Sequence, residues 1–176
     1  MILLNLFDMN EDTDNILFRK HLGLLTGDIK VKEEELSPEI MKSLIDLSAA
    51  WEAEGSCHGY RKNDESDIEG NRVFIARDKG KIIGYLFGHM EEAKKESSII
   101  EKGTPYFEVE ELYVKPAYRN CKIGHRLFKT MERKVSGEAG YIMLSTATKN
   151  WKSILHFYID ELDMEFWNAR LFKKIE

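Results

Sequence analysis

The stretch that decides the fold is Phe107–Leu127, which reads FEVEELYVKPAYRNCKIGHRL. It begins as a strand, is interrupted by Pro116, and passes through a short loop at Ala117–Gly124 into a helix. The first N–H groups of a helix have no partner within the helix, and the helix dipole makes that end positive. The loop also carries two cations, Arg119 and Lys122. The stretch therefore predicts an anion site suited to a phosphate or a pyrophosphate.

The strand at the start of this stretch has an irregular alternation. Its aliphatic residues occupy first odd and then even positions: Phe107, Val109, Leu112 and Val114. A slip of one residue across Glu110-Glu111 is what a β-bulge does to a strand. The alternative is a regular strand in which Tyr113 is buried. A bulge bends the strand and leaves main-chain groups unpaired, and an extended ligand can take over that pairing.

The rest of the chain predicts strands and helices on both sides of this stretch. The predicted elements are a strand at Met1–Phe7, a helix at Asn10–Leu25, a helix from Ser37-Pro38-Glu39 to Gly55, a loop at Arg61–Gly70, a hairpin of Val73–Ala76 and Ile82–Phe87, a charged loop at Glu91–Gly103, a helix at His125–Ser136, a strand at Tyr141–Thr146, a helix at Trp151–Leu162 and a closing strand at Phe166–Phe172. This order predicts an α/β or α+β fold built on a single mixed, mostly antiparallel sheet flanked by helices.

Composition narrows the class of protein further. The 176 residues carry a formal net charge of −5, with 32% charged and 43% hydrophobic residues. A chain of this length predicts one compact soluble domain over residues 1–176. The acidic balance argues against a nucleic-acid binder, which would show a basic stripe.

The same composition argues against a membrane protein or a metalloprotein. The best apolar run, Met1–Phe7, is too short for a membrane helix and has no basic segment before it, so we expect a cytoplasmic protein. Cys57 and Cys121 form no disulfide framework, and the five histidines show no metal-ligand spacing, so no metal is expected.

The loop and the strand before it resemble the GNAT superfamily of acyl-CoA-dependent N-acetyltransferases. The family motif is Arg or Gln, two residues, Gly, one residue, then Gly or Ala, and it stands here as Arg119-Asn120-Cys121-Lys122-Ile123-Gly124. It follows Glu111-Leu112-Tyr113-Val114-Lys115-Pro116, as in the family. The resemblance covers about residues 71–176, which it implies to be the acyl-CoA-binding core, with residues 1–70 as variable helices on the acceptor side.

The resemblance implies acetyl-CoA as co-substrate and assigns residues to it. In such proteins the pantetheine arm pairs with the bulged strand and the loop amides hold the pyrophosphate. By position, the residues implied are Leu112, Tyr113 and Val114 for pantetheine, and Arg119, Asn120, Cys121, Lys122, Ile123, Gly124 and His125 for pyrophosphate. Lys122 stands where the family most often has glycine, and a lysine fits there if its backbone stays in an ordinary region. Its ammonium then reaches phosphate or points outward.

A second stretch, Asn150–Met164, also resembles the family. Asn150, Ser153 and Phe157-Tyr158 match the helix that follows the fifth strand, and Asn150 is included among the cofactor-binding residues. Tyr158 comes one position later than the commonest spacing, and Asp163 occupies the place of a frequent glycine.

Acetyl transfer from a thioester to an amine needs a base, donors for the oxyanion and an acid for the thiolate. Glu110 and Glu111 are the candidates for the base, with Glu111 favoured by family position, and Tyr158 is the candidate acid. The alternatives are a solvent face of acidic residues and a core tyrosine. Cys121 has no His and Asp arranged around it in sequence and is not expected to be a nucleophile.

The expected function is N-acetylation of a primary amine of a small molecule or peptide by direct attack in a ternary complex. Acidic residues hint at a cationic acceptor, the alternative being a merely solvated surface: Glu52, Glu54, Asp64, Glu65, Asp67, Glu69 and Glu108–Glu111. A homodimer is left open. The rival function is a catalytically degenerate acyl-CoA-binding regulatory module, which Lys122 and the displaced Tyr158 would favour.

Overall fold

The computed structural model describes residues 29–175. Within this range the strands are β1 (Lys30–Glu34), β2 (Arg72–Asp78), β3 (Lys81–Glu92), β4 (Pro105–Val114) and β5 (Tyr141–Leu144). They form one sheet in the order β1-β2-β3-β4-β5, antiparallel throughout except for the parallel pair β4–β5. The predicted fold class, a mixed and mostly antiparallel sheet flanked by helices, is confirmed. The strand predicted at Met1–Phe7 and the helix predicted at Asn10–Leu25 both lie outside the described residues.

The first two helices begin where the sequence supplies side-chain caps. Helix α1 covers Pro38–Glu54; the Ser37 side chain accepts a hydrogen bond from the Ile40 N–H at 3.3 Å, and Gly55 ends the helix in the left-handed conformation. The segment predicted as a loop at Arg61–Gly70 contains a one-turn helix, α2 (Glu65–Ile68), which is a correction. The sequence reading missed the capping box in which Asp64 and Asp67 satisfy each other's main-chain N–H groups.

Two more helices follow β4. Helix α3 covers Ile123–Val135, and helix α4 (Trp151–Leu155) continues into a π-helical turn at His156–Glu161. The sheet separates two apolar clusters. Helix α3 packs on one face with buried residues that include Phe107, Leu127 and Phe128, and α1 packs on the other with residues that include Leu44 and Tyr85. We call these the α3 face and the α1 face of the sheet.

The closing strand predicted at Phe166–Phe172 is wrong for this structure. These residues are irregular, and Phe166, Leu171 and Phe172 are 56%, 95% and 80% exposed. Alternation places apolar side chains on one side of a segment, but a strand also needs a neighbouring main chain to bond to. The tail makes side-chain contacts instead: the Trp167 indole N–H donates to Ser98 Oγ at 3.3 Å.

Candidate functional site

Strand β4 carries the predicted bulge. On β3, Phe87 pairs with Glu111 and the next residue, Gly88, pairs with Val109, so Glu110 has no partner opposite it. As a result Phe107, Val109, Leu112 and Val114 all pack on the α3 face, although the first two are odd and the last two even. Tyr113 is buried on the α1 face. Both sequence alternatives are therefore partly true, because the slip and a buried Tyr113 occur together.

The bulge is packed tightly against β3. A Cβ placed on Gly88 would lie 2.1 Å from the main-chain oxygen of Glu108 and 2.8 Å from Phe107 Cε1. No side chain fits in that space, so glycine is required where β3 passes the bulge.

Beyond the bulge, β4 separates from β5. The parallel ladder joins β5 only to Tyr106–Val109. The Lys115 N–H donates to the Ile83 carbonyl of β3 at 2.9 Å, so the Val114 carbonyl, on the same trans peptide, points to the opposite side. Because main-chain groups alternate along a strand, those of Leu112 and Val114 face the side that β5 has left. We call Leu112–Val114 the open edge; it suits the pairing expected of pantetheine.

Arg119 closes the far end of the open edge. Its Nε donates to the Val114 carbonyl at 2.9 Å, and its Nη2 donates to both carboxylate oxygens of Glu54 at 2.8 and 2.9 Å. The guanidinium also lies 5.5 Å from the centre of the Tyr113 ring. The Tyr113 hydroxyl donates to Glu54 Oε1 at 2.9 Å, and burial first, then this bond, raises the pKa of Tyr113 to about 12. Contact of Arg119 with pyrophosphate stays a prediction.

The loop reaches α3 through two left-handed residues. Asn120 has φ +58° and Lys122, the residue that precedes the helix, has φ +56°. The condition stated for a lysine at this position, an ordinary backbone, is not met, because the turn keeps the left-handed conformation that glycine adopts most easily. Lys122 Nζ lies 3.8 Å from Glu161 Oε2 at the end of the π-helical turn.

The last residues of the motif, Cys121, Ile123 and Gly124, pack against neighbouring parts of the chain. Ile123 is buried, and the buried Cys121 thiol donates to the Arg119 carbonyl at 3.4 Å. A Cβ on Gly124 would lie 3.3 Å from Phe157 Cζ, so the last position of the motif brings this helix end against the helix that carries Tyr158. His125 lies half-buried in the first turn of α3.

Glu111 is held by three donors on the α1 face. Its Oε2 accepts hydrogen bonds from the Tyr85 hydroxyl at 2.7 Å, the Asn63 amide at 2.9 Å and the Tyr60 hydroxyl at 3.3 Å. Burial raises the pKa of the Glu111 carboxyl, and these bonds oppose that rise only in part. Within residues 29–175 no donor lies on Oε1, which leaves that oxygen able to accept a proton.

Glu110, the other candidate base, is more exposed and belongs to a different group. Its Oε1 lies 3.7 Å from His89 Nδ1, which also contacts Asn71 Oδ1 at 3.1 Å. Glu91 is 3.4 Å from the other ring nitrogen of His89. Burial, and then the charge of Glu110, raises the pKa of Glu108.

Tyr158 lies in the π-helical turn, between aromatic neighbours. Its ring is 5.0 Å from that of Phe157 and 6.2 Å from that of Phe128, and burial raises the pKa of its phenol. A π-helical turn contains one residue more than an α-helical turn. This extra residue matches the one-position displacement of Tyr158 in the sequence. Asp163, which stands in the place of a frequent glycine, has the left-handed backbone angle φ +58°.

Asn150 lies at the start of α4 with an exposed side chain. Its carbonyl accepts a hydrogen bond from the Ile154 N–H at 3.2 Å. The structure thus places Asn150 at a helix start, while its contact with the cofactor stays a prediction.

Several acids of the predicted acceptor cluster already have structural partners. Glu54 binds Arg119, and Asp67 forms two hydrogen bonds of 2.7 Å with Arg61. Asp64 caps α2. The acids that remain closest to the bulge are Glu108 and Glu110, together with Glu91 on β3. Any acidic acceptor surface is therefore smaller than the sequence suggests.

Sequence reasoning missed the groups that hold these residues. Glu111 is surrounded by Tyr60, Asn63 and Tyr85, which lie 51, 48 and 26 residues away in sequence, and no local pattern signals such contacts.

Between residues 29 and 175 no group of three His, Cys, Asp or Glu side chains is arranged to hold a metal ion. None of the helices in the same range is long and apolar enough to cross a membrane.

A bulged strand with an open edge beside a helix start is the arrangement that the sequence resemblance implies. The sequence model of the Acetyltransferase (GNAT) family matches residues 40–159, which is more than half of the chain. The chain belongs to this family. No curated protein sequence matches it.

Solved structures share the fold at low sequence identity. The aminoglycoside acetyltransferase meta-AAC0020 from an uncultured soil metagenomic sample, in complex with trehalose, is 18% identical with a TM-score of 0.59 over 84% of this chain and 97% of that one. AAC(6')-Iy, in complex with a CoA-containing bisubstrate analogue, is 15% identical with a TM-score of 0.58 over 85% and 99%. Glucosamine-6-phosphate N-acetyltransferase from Arabidopsis thaliana is 13% identical with a TM-score of 0.56 over 85% and 100%.

Proposed function

We propose that this protein is an acetyl-CoA-dependent N-acetyltransferase that acts on a primary amine within a ternary complex. The observation that carries the proposal is the open edge of β4, which ends beside the start of α3. A strand edge suits an amide-containing pantetheine arm, and a helix start suits a diphosphate. One short segment, Lys115–Lys122, connects the strand edge to the helix start.

Each proposed reacting group has a matching environment. The amine nitrogen attacks the thioester carbonyl, the new C–N bond forms and the C–S bond breaks. Glu111 takes the amine proton, directly or through water, and its raised pKa favours proton uptake. Tyr158, whose phenol is protonated at neutral pH, gives its proton to the departing thiolate. An amide of β4 freed at the bulge, beside Glu110, meets the oxyanion.

The acceptor in this proposal is a cationic small molecule or peptide. Glu108 and Glu110, with Glu91, leave negative charge next to the bulge on the side of the sheet where His89 lies. A protonated amine would be attracted to such a surface before it loses its proton. The similar protein meta-AAC0020 is an aminoglycoside acetyltransferase, which is consistent with a cationic acceptor.

The experiment is to incubate the protein with acetyl-CoA and a panel of amines, and to follow release of free thiol. We expect turnover on at least one cationic amine, and we expect Tyr158→Phe to lower kcat by about 100-fold while the Kd of CoA changes little. Lys129→Gln, on the surface of α3, is the control. Binding of CoA without turnover on any amine would instead support the regulatory module, which Lys122 in place of glycine favours.

A further inference from the structure

An ion pair links the loop to the π-helical turn, and it takes no part in the proposed chemistry. Lys122 Nζ is 3.8 Å from Glu161 Oε2, and the two side chains are 39% and 26% exposed. Lys122 stands in the loop that would hold the diphosphate, and Glu161 ends the turn that carries Tyr158. This ion pair therefore joins the proposed diphosphate loop to the turn that carries Tyr158.

We infer that Glu161 competes with the diphosphate of CoA for the Lys122 ammonium. The inference rests on the proposed function, because it requires CoA to bind at this loop. Without ligand, the ammonium is attracted to the Glu161 carboxylate. When a diphosphate occupies the start of α3, it offers more negative charge than Glu161, and Lys122 turns toward it. Breaking the pair with Glu161 then costs part of the binding free energy of CoA.

The other partner of Glu161 does not replace Lys122. His156 Nε2 lies 3.9 Å from Glu161 Oε1, but His156 Nδ1 is 2.6 Å from Asp160 Oδ2, and both of those side chains are highly exposed. His156 is thus held mainly by Asp160. Glu161 meets Lys122 through its other oxygen, Oε2, so the contact with His156 does not block the proposed competition.

The competition is tested by titrating CoA into Glu161→Gln at low ionic strength and measuring its Kd by calorimetry. We expect CoA to bind about two- to fivefold more tightly than to the unaltered protein, the range of an exposed ion pair. The control is Glu132→Gln, which removes the same charge from an ion pair of 2.9 Å on α3, about 13 Å along the helix from its start, and leaves the Kd unchanged.

The double variant Lys122→Gln/Glu161→Gln separates competition from simple repulsion between Glu161 and the diphosphate. Competition requires that the gain from Glu161→Gln disappear when Lys122→Gln is already present. The same gain in both backgrounds, or no gain in either, would overturn the inference. Failure of the unaltered protein to bind CoA would instead contradict the proposed function itself.

Discussion

The two halves of β4 are built from one strand but serve different purposes. From Tyr106 to Val109 the strand is paired on both sides, with β3 and β5, and its apolar side chains are part of the core. From Glu111 to Val114 it is paired, among the strands of residues 29–175, with β3 alone. The unmatched Glu110 lies at the boundary between the halves. One extra residue is therefore enough to convert a closed part of a sheet into an edge that a ligand can extend.

The halves also differ in how their polar side chains are satisfied. In the closed half, Glu108 is half-buried beside other acids, and its pKa is raised by burial and by Glu110. In the open half, Glu111 accepts three hydrogen bonds on one oxygen. The open half thus loses a neighbouring strand but gains side-chain contacts to the α1 face, which hold it in place without closing it.

The largest effect is expected where the two halves meet. Gly88→Ala would place a Cβ 2.1 Å from the Glu108 carbonyl oxygen, so β3 and β4 must move apart at the bulge. We expect the free energy of unfolding, measured by urea titration, to fall by about 3 kcal/mol. Gly137→Ala is the control, since no atom of the described residues, apart from its own chain neighbours, lies within 4 Å of its Cβ position. Equal stability of the two variants would show that the halves do not depend on this close approach.

The next effect concerns the base in the open half. The pKa of Glu111 lies above its ordinary value of 4.5, so its basic form is lost as the pH falls through that raised pKa. The fall of kcat/KM on the acid side (the acid limb) should therefore have its midpoint above pH 4.5. Glu111→Gln should lower kcat/KM by about 100-fold at neutral pH and remove this limb.

Glu110→Gln is the matched control for that substitution, because Glu110 is the adjacent acid in the same bulge. We expect its pH profile to keep the acid limb. If the limb disappears with Glu110→Gln and persists with Glu111→Gln, the base is Glu110, and the hydrogen bonds to Glu111 serve only to attach the Tyr60–Asn63 segment to the sheet.

The smallest effect is expected at the end of the loop that follows the open half. Lys122 has φ +56°, a conformation that favours glycine, so Lys122→Gly should raise the free energy of unfolding by about 1 kcal/mol. Lys129→Gly, in the interior of α3, should lower it by about 1 kcal/mol. A loss of stability in both variants, measured by thermal unfolding, would mean that the Lys122 side chain contributes more than its backbone conformation costs.

Much of the fold could be predicted because its signals are local. The Ser37 and Gly55 caps of α1, the hairpin between β2 and β3, and the slip of alternation in β4 all involve residues a few positions apart. The closing strand at Phe166–Phe172 failed for the complementary reason. Alternation is local, but the pairing that makes a strand is not.

The candidate site could be predicted in its main-chain parts and not in its side-chain contacts. The loop and the helix start follow directly from Pro116 and the apolar spacing after Gly124. The partner of Arg119, Glu54, is 65 residues away, and nothing near Arg119 in sequence indicates it. The π-helical turn was visible only as a displaced Tyr158.

The amino-acid sequence is enough to predict the class of fold, the family resemblance, and the order strand, loop and helix that ends at α3, because hydrophobic period, proline and caps act within a few residues. Three features depend on the folded chain: Arg119 covers the end of the open edge, three side chains meet at Glu111, and Glu161 meets Lys122. Those contacts form when the closed sheet and its helices bring distant side chains within a few ångströms, and no local rule specifies which side chains will meet there.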